Sequence, residues 1–433
     1  MQLGAVLVCD AGPLLLRHGG IDVERLRTYT GVRIASVSRA RERRSSLPFG
    51  ALPFFVADER FELDYHVRHA SLPRPGDERA LKRLVARIVS EPLDPARPLW
   101  QLWVVEGLEG PRFALIAICD GALAEPGSRG DLVAALLARE SPEDAAPSGG
   151  WLARAGAELY QRSASALWPS AWAARAADLA SGAADLAESL LGGRDALAPA
   201  AGSLHRVDWL ALDAGDVSAV RARLGGSERD VALAALSGGL RRLFEHRGVE
   251  TRALRTLTPI CVGDGVSAPR LRLPVTQPDA RARLVELRSE SDRLACGMAE
   301  PSDAPLRELA RLANAARSGR RAELVAAALP ELAPAGALLG ARVRAFVPVL
   351  PPLPGQPDED MVAGARDGDH VFVGLAAGAA RVPDLSALAD GTASAFDELR
   401  RTVTEGPGRS AKARRARPRQ RRQPRARAEP EAR

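Results

Sequence analysis

Lysine is almost missing from this chain. Lys82 and Lys412 are the only two, so nearly all of its positive charge is arginine. Cysteine is scarce as well: Cys9, Cys119, Cys261 and Cys296 are scattered, with no Cys-x-x-Cys pair and no metal-ligand spacing. That excludes a disulfide framework and a thiolate metal site. Three of the four lie in or beside apolar runs, where a free thiol behaves as a small hydrophobe. The pattern fits a reducing, cytoplasmic setting. No signal peptide opens the chain, and no apolar run reaches the roughly 18 residues a membrane span needs. Membrane contact is therefore expected only at a surface.

The net charge of +6 belongs to one segment. Residues 406–433 carry +9, which leaves −3 for residues 1–405. This tail is rich in Pro and Arg and has no apolar residue larger than Ala, so it cannot bury enough surface to fold. It reads as a solvated disordered tail or as an electrostatic attachment to anionic lipid or nucleic acid. The globular part carries no general nucleic-acid footprint, so nucleic acid is not expected as a partner.

At 433 residues and 46% apolar content, the chain suits two to three domains. Residues 1–140 read as α/β: a short strand at Gly4–Cys9, a helix opening at Ile21–Leu26, and an amphipathic helix over Glu78–Val89 with Leu81, Leu84, Val85 and Ile88 at helical spacing. A strand pair follows, and another helix starts at Asp131. Residues 141–203 form an Ala- and Leu-rich helical bridge, set off by Pro and Gly breakers. Its charges are balanced, which favours packing on the body over membrane docking. Residues 204–405 read as a second α/β unit. Its strands are expected at 207–212, 254–261, 270–275, 343–350 and 371–375. Its helices begin after Asp213, run from Asp230 to Arg247, and close the unit at 385–403.

The richest stretch is the strand pair. Pro98-Leu99-Trp100-Gln101-Leu102-Trp103-Val104-Val105 is followed, after a Glu109-Gly110-Pro111 turn, by Phe113-Ala-Leu-Ile-Ala-Ile-Cys-Asp120-Gly121. Upstream stand Phe61-Glu-Leu-Asp-Tyr-His66-Val-Arg-His69, Leu72-Pro73 and Pro75-Gly76. Downstream stand Leu224-Gly225-Gly226, Asp230–Ala235 and Val382-Pro383-Asp384-Leu385. Together these resemble the bacterial wax ester synthase/diacylglycerol acyltransferase family over nearly the whole chain to about residue 400. The resemblance implies two chloramphenicol-acetyltransferase-like (condensation-domain-like) α/β domains joined by a helical bridge. It also implies an O-acyltransferase that uses acyl-CoA as co-substrate and a lipid alcohol or diacylglycerol as acceptor, with no other cofactor and no metal. A short segment ahead of the family's first strand would be missing here.

In that family the second strand ends in His-His-x-x-x-Asp-Gly, and the second His takes the proton of the acceptor hydroxyl. Setting the motif on Asp120-Gly121 puts Leu115 and Ile116 at the histidine positions. Isoleucine accepts no proton, and losing a general base typically costs roughly 10²–10⁴-fold. Cys119 is a poor replacement, since three residues along a strand it faces away from Ile116. His66 and His69, also three apart in an extended segment, should diverge in the same way, and His66 is expected to be structural. His370 is expected to be exposed.

The resemblance implies a channel remnant at Pro98, Leu99, Trp100, Asp230 and Asp264. The family's Asn-Asp pair reads Arg229-Asp230 and its Gly-Asn reads Gly263-Asp264. Its Asn-Val-Pro-Gly-Pro segment has no counterpart near 331–336. Two readings stand: an acyltransferase of triacylglycerol or wax ester synthesis, inactive or weak, or a non-catalytic relative that binds lipid or pairs with an active paralogue, a decaying gene product included. Either would be cytoplasmic, with contact at an anionic membrane or lipid droplet.

Overall fold

The computed structural model describes residues 2–17, 19–37, 39–46, 53–123, 132–137, 204–251, 254–257, 260–262, 265–267, 270–293, 324–328, 337–350, 360–367 and 369–404. The bridge 141–203, the tail 406–433 and Asp264 lie outside them.

The first part of the chain runs β1 (Gln2–Asp10), α1 (Val23–Arg33), β2 (Glu42–Ser46), β3 (Pro53–Ala57), α2 (Leu63–His66), β4 (Val67–Ser71), α3 (Glu78–Ser90), β5 (Trp100–Glu106), β6 (Arg112–Asp120) and α4 (Leu132–Leu137). From residue 204 onward come β7 (His205–Asp213), α5 (Ala214–Leu224), α6 (Glu228–His246), β8 (Leu254–Leu257), β9 (Ile260–Val262), β10 (Gly265–Ser267), β11 (Arg270–Leu273) and α7 (Ala280–Arg293). They are followed by β12 (Leu324–Ala328), β13 (Ala337–Leu338), β14 (Ala341–Val349), β15 (Asp360–Asp367), β16 (His370–Gly378) and α8 (Leu385–Thr404).

Two six-stranded mixed sheets result. The first has the order β13-β14-β1-β6-β5-β4, the second β11-β8-β12-β15-β16-β7. One sequence expectation is corrected here. The strand expected at 343–350 was placed with the second unit, yet β14 pairs antiparallel with β1, Gly4 opposite Val349 and Leu7 opposite Phe346. The reason is burial on both faces. Ala341, Val343 and Phe346 sit in the core of the first unit, while Val347 and Val349 face the seam with the second sheet. A strand apolar on both sides needs a place inside a covered sheet, and the flank of β1 offers one.

Three apolar clusters follow from these layers. One lies between the first sheet and α1 and α4, around Leu7, Trp100, Phe113 and Leu115. A second lies between the second sheet and α5–α8, around Val231, Phe244, Leu284 and Phe396. The third is the seam. There Val6, Ile116 and Ile118 of the first sheet meet Leu81, Val85 and Ile88 of α3, and Val207, Trp209 and Phe372 of the second sheet. Helix α3 starts where the Asp77 carboxylate accepts the Ala80 amide at 2.8 Å. Helix α5 has the expected Asp213 cap, which accepts from Asp216 N, and ends at Gly225, whose φ of +76° suits a residue without Cβ.

Lys82 crosses the seam. Its Nζ lies 2.7 Å from Asp208 Oδ1 and 3.1 Å from Glu78 Oε1, donates to the Trp209 carbonyl at 2.9 Å, and sits 4.9 Å from the Trp209 ring centroid. All three ammonium hydrogens thus meet an oxygen. Eight residues further along α3, Ser90 Oγ accepts the backbone amide of His205, four residues back along β7, at 2.8 Å. Eight helical residues span about 12 Å and four strand residues about 13 Å. The two elements therefore keep step along the whole seam.

Candidate functional site at the end of the seam

Strand β6 decides where chemistry can happen. Between Phe113 and Cys119 every residue is buried; only the first and last residues, Arg112 and Asp120, reach solvent. Leu115 and Ile116 are 1% and 0% exposed. They point to opposite faces, Leu115 into the core of the first unit and Ile116 into the seam cluster. Flanking strands cover both edges at this level: Ile116 stands opposite Val6 on β1 and Trp103 on β5. The channel-facing histidine sites inferred from the Asp120-Gly121 register are thus interior packing positions. The physical reason is that Ala114, Ile116 and Ile118 form one continuous apolar row of the seam. Cys119 faces the other core, as strand alternation predicts. Cys9 lies in that core too, and burial pushes its thiol up to about 12.

The proposed channel residues take packing roles as well. Pro98, Leu99 and Trp100 are buried. Trp100 donates from its indole nitrogen to the Ala40 carbonyl at 2.7 Å, and the Leu99 carbonyl accepts the Asp120 amide at 2.8 Å. His66 is fully buried between the Trp100 and Phe61 rings, with centroids 4.6 and 5.0 Å away, and its Nδ1 lies 2.8 Å from the Trp100 carbonyl. Burial holds it below the usual histidine range, in its neutral form. His66 closes a helical turn instead of lying in an extended segment; His69, on β4, meets Glu106 at 3.2 Å. The two do diverge.

Asp230 is a cap. It accepts the Ser227 amide at 2.8 Å while Ser227 Oγ accepts the Asp230 amide at 3.2 Å, a capping box on α6. Its other oxygen accepts Ser291 Oγ from α7 at 2.7 Å. Only 3% exposed, it is committed to its own helix and to α7, not to a ligand. Replacing Asp230 with Ala is expected to cost roughly 2–4 kcal/mol, from a lost cap and a lost buried charged hydrogen bond. Urea denaturation checks this, and a loss under about 0.5 kcal/mol would remove the capping account.

Where the seam ends, polar groups gather. Parity along the strands turns Asp120 and Gln2 to the seam side, and Gln2 stands opposite Asp120 in register. The Gln2 side-chain amide donates to the Glu91 carbonyl at the end of α3, 2.7 Å away. From the second sheet His205 reaches the same helix end through its amide and Ser90. His205 shares the face of Val207 and Trp209, both seam residues. Its Nδ1 is buried without a partner, and burial holds its pKa below the usual histidine value. The sequence reading missed His205, although its place as the first residue of an apolar strand after the bridge was a usable signal. Among the described residues, no group of three or more His, Cys, Asp or Glu is placed to hold a metal ion, and no helix is long and apolar enough to cross a membrane.

The profile of the wax ester synthase/diacylglycerol acyltransferase catalytic domain matches residues 1–232. The chain belongs to this family. A putative diacylglycerol O-acyltransferase of Mycobacterium tuberculosis is 33% identical over 246 residues, 54% of this chain and 51% of that protein. The probable diacylglycerol O-acyltransferase tgs1 of the same organism is 29% identical over 324 residues, 69% and 67% of the two chains. The chain thus matches about half the length of the first of these acyltransferases. Among solved structures, the wax ester synthase/diacylglycerol acyltransferase of Marinobacter aquaeolei VT8 aligns over 93% of this chain and 95% of its own, with a TM-score of 0.63 at 19% identity. The first condensation domain of the CDA synthetase follows at 0.54 and 16% identity, over 92% of this chain and 91% of its own. At such identities these two likenesses establish the shared two-unit α/β fold.

Proposed function

We propose that this wax ester synthase/diacylglycerol acyltransferase relative binds a long-chain acyl-CoA and a lipid alcohol at the open end of the seam, and transfers the acyl group slowly. One observation carries the reading: the sequence has no histidine between residues 70 and 204. The end of β6 therefore lacks the family's base in any register of the motif. The reaction needs the hydroxyl proton to leave as the oxygen attacks the thioester carbonyl carbon; the carbon–sulfur bond then breaks and the thiolate takes a proton. Without a base at that strand end the expected loss is roughly 10²–10⁴-fold.

The burial of Leu115 and Ile116 supports a different register, five residues on. In it the seven motif positions begin at the solvent-reaching end of β6 and run Asp120-Gly121-Ala122-Leu123-Ala124-Glu125-Pro126. An acidic residue then stands where the family has Asp. Glu125 and Pro126 lie outside the described residues. Lipid contact through the basic tail belongs to the same proposal.

The test gives the purified full-length chain palmitoyl-CoA and hexadecanol and follows free thiol. Binding with transfer at least roughly 10²-fold slower than an active relative is expected; turnover within tenfold of that relative would sink the proposal. Histidine at both 120 and 121 should raise the rate, whereas histidine at both 115 and 116 should only destabilise the fold. The reverse outcome would restore the first register.

A further inference from the structure

We infer that His205, carried by the second unit, is the proton acceptor for the bound hydroxyl at the end of the seam. The inference rests on the binding reading above and names the group that serves its slow transfer.

Placement is the first argument. β7 starts at His205, and the odd-numbered residues of its first half, 205, 207 and 209, turn toward the first sheet; Val207 and Trp209 pack in the shared cluster. The His205 backbone is fixed by its amide bond to Ser90 Oγ and by pairing with Gly378 on β16. Ser90 is itself held, its hydroxyl donating to the Ala86 carbonyl at 2.7 Å. The next residue along α3, Glu91, holds Gln2, the register partner of Asp120. The ends of β6 and β7 are thus tied to one helix terminus from opposite sheets. In this proposal the ligand sits at that helix terminus, with His205 on the side of the second sheet and Asp120 on the side of the first.

The second argument is the imidazole itself. Nδ1 is buried and has no hydrogen-bond partner, an arrangement that costs free energy unless a ligand supplies one. The ring is only partly exposed, so it is neither a surface histidine nor a sealed core histidine like His66, which also has one unpartnered buried nitrogen, Nε2, but is 0% exposed and stacked between two rings. Charged groups on the elements around it are Arg87 of α3, Glu91 just past its end, Arg206 on its own strand, Asp120 on β6 and Arg381 after β16. Burial is the cause that prevails, and it favours the neutral, proton-accepting form near pH 7.

In the step proposed, an imidazole nitrogen takes the hydroxyl proton as the alcohol oxygen bonds to the thioester carbonyl carbon. The carbon–sulfur bond breaks, and the imidazolium returns the proton to the departing thiolate. Atoms and charge balance with no further reactant.

The experiment compares wild type, His205→Gln and His205→Ala, all full length, with palmitoyl-CoA and hexadecanol. Palmitoyl-CoA binding is read by tryptophan fluorescence, transfer by free thiol, and folding by the unfolding midpoint. The expected result is at least a tenfold loss of transfer in both variants, with binding within about twofold of wild type. Free imidazole should partly restore His205→Ala, which a merely structural role would not allow. The wild-type rate should rise with pH and level off below the usual histidine range. Wild-type transfer rates in both variants would overturn the inference, as would a wild type that binds palmitoyl-CoA and releases no thiol. A wild type that fails to bind palmitoyl-CoA overturns the binding reading first, and this inference with it.

Discussion

Gly76→Ala is expected to remove roughly 2–5 kcal/mol of stability, from a strained left-handed backbone and an overpacked contact. Gly76 has a φ of +74°, and a Cβ there would stand 1.7 Å from the Gly107 carbonyl oxygen and 2.9 Å from its carbon. Both of those atoms are backbone and neither can turn aside. The turn is held from both sides: the Gly76 amide donates to Pro73 O at 2.9 Å, and its carbonyl accepts the Glu109 amide at 3.0 Å. Gly76 thereby presses the loop ahead of α3 onto the turn between β5 and β6, the pair that carries the strand end. Total stabilities of folded domains run to about 5–15 kcal/mol, so the variant should lose much of its soluble yield. Gly12→Ala is the control, since nothing lies within 4 Å of a Cβ at that position. Equal denaturation midpoints for the two variants would refute the steric account.

Lys82→Met should be the most damaging change at the seam. It strips Asp208, 8% exposed, of its cation and leaves the Trp209 carbonyl without its donor. Breaking a fully buried pair costs roughly 3–5 kcal/mol. Here the two side chains keep 20% and 12% of their surface in water, so about 2–3 kcal/mol is expected after screening. Asp208→Asn added to Lys82→Met should recover part of the loss, because the stranded charge is gone. The neighbouring Arg83→Met, on the exposed side of α3, should change little. A Lys82→Met midpoint no lower than that of Arg83→Met would end the idea that this one lysine clamps the units.

The sequence made the locally encoded elements legible. The apolar runs of β1, β5 and β6, the amphipathic stripe of α3, the Asp213 cap with its Gly225 stop, and the long α6 all come from patterns within about twenty residues. The β2–β3 hairpin and β12 were not legible. Glu42, Arg43 and Arg44 put charge on both faces of β2, and Leu324–Ala328 is an Ala-rich run that reads equally well as helix. The partner of β14 was hidden for another reason: a doubly apolar strand says that it is buried, not beside which strand. The register of the motif meets the same limit. Asp-Gly after a strand matches one end of the family pattern, and only the burial of Ile116 shows that the other end would fall inside a packed sheet. His205 offered one local signal, its place at the head of β7, but the helix end that it shares with Gln2 shows only in three dimensions.

The pairing of β14 with β1 also sets a clock. More than 300 residues separate the two strands in the chain. At about 5–20 residues per second, a ribosome takes roughly 15–65 s to deliver β14 after β1 has emerged. Through that interval the flank of β1 is an open edge, Gly4 to Cys9 with hydrogen-bonding groups unmet and ready to join another nascent chain. Folding yield in a cell should therefore depend on chaperone supply and translation speed more than the final stability suggests. A fragment that stops before residue 341 should aggregate however well its own core is packed.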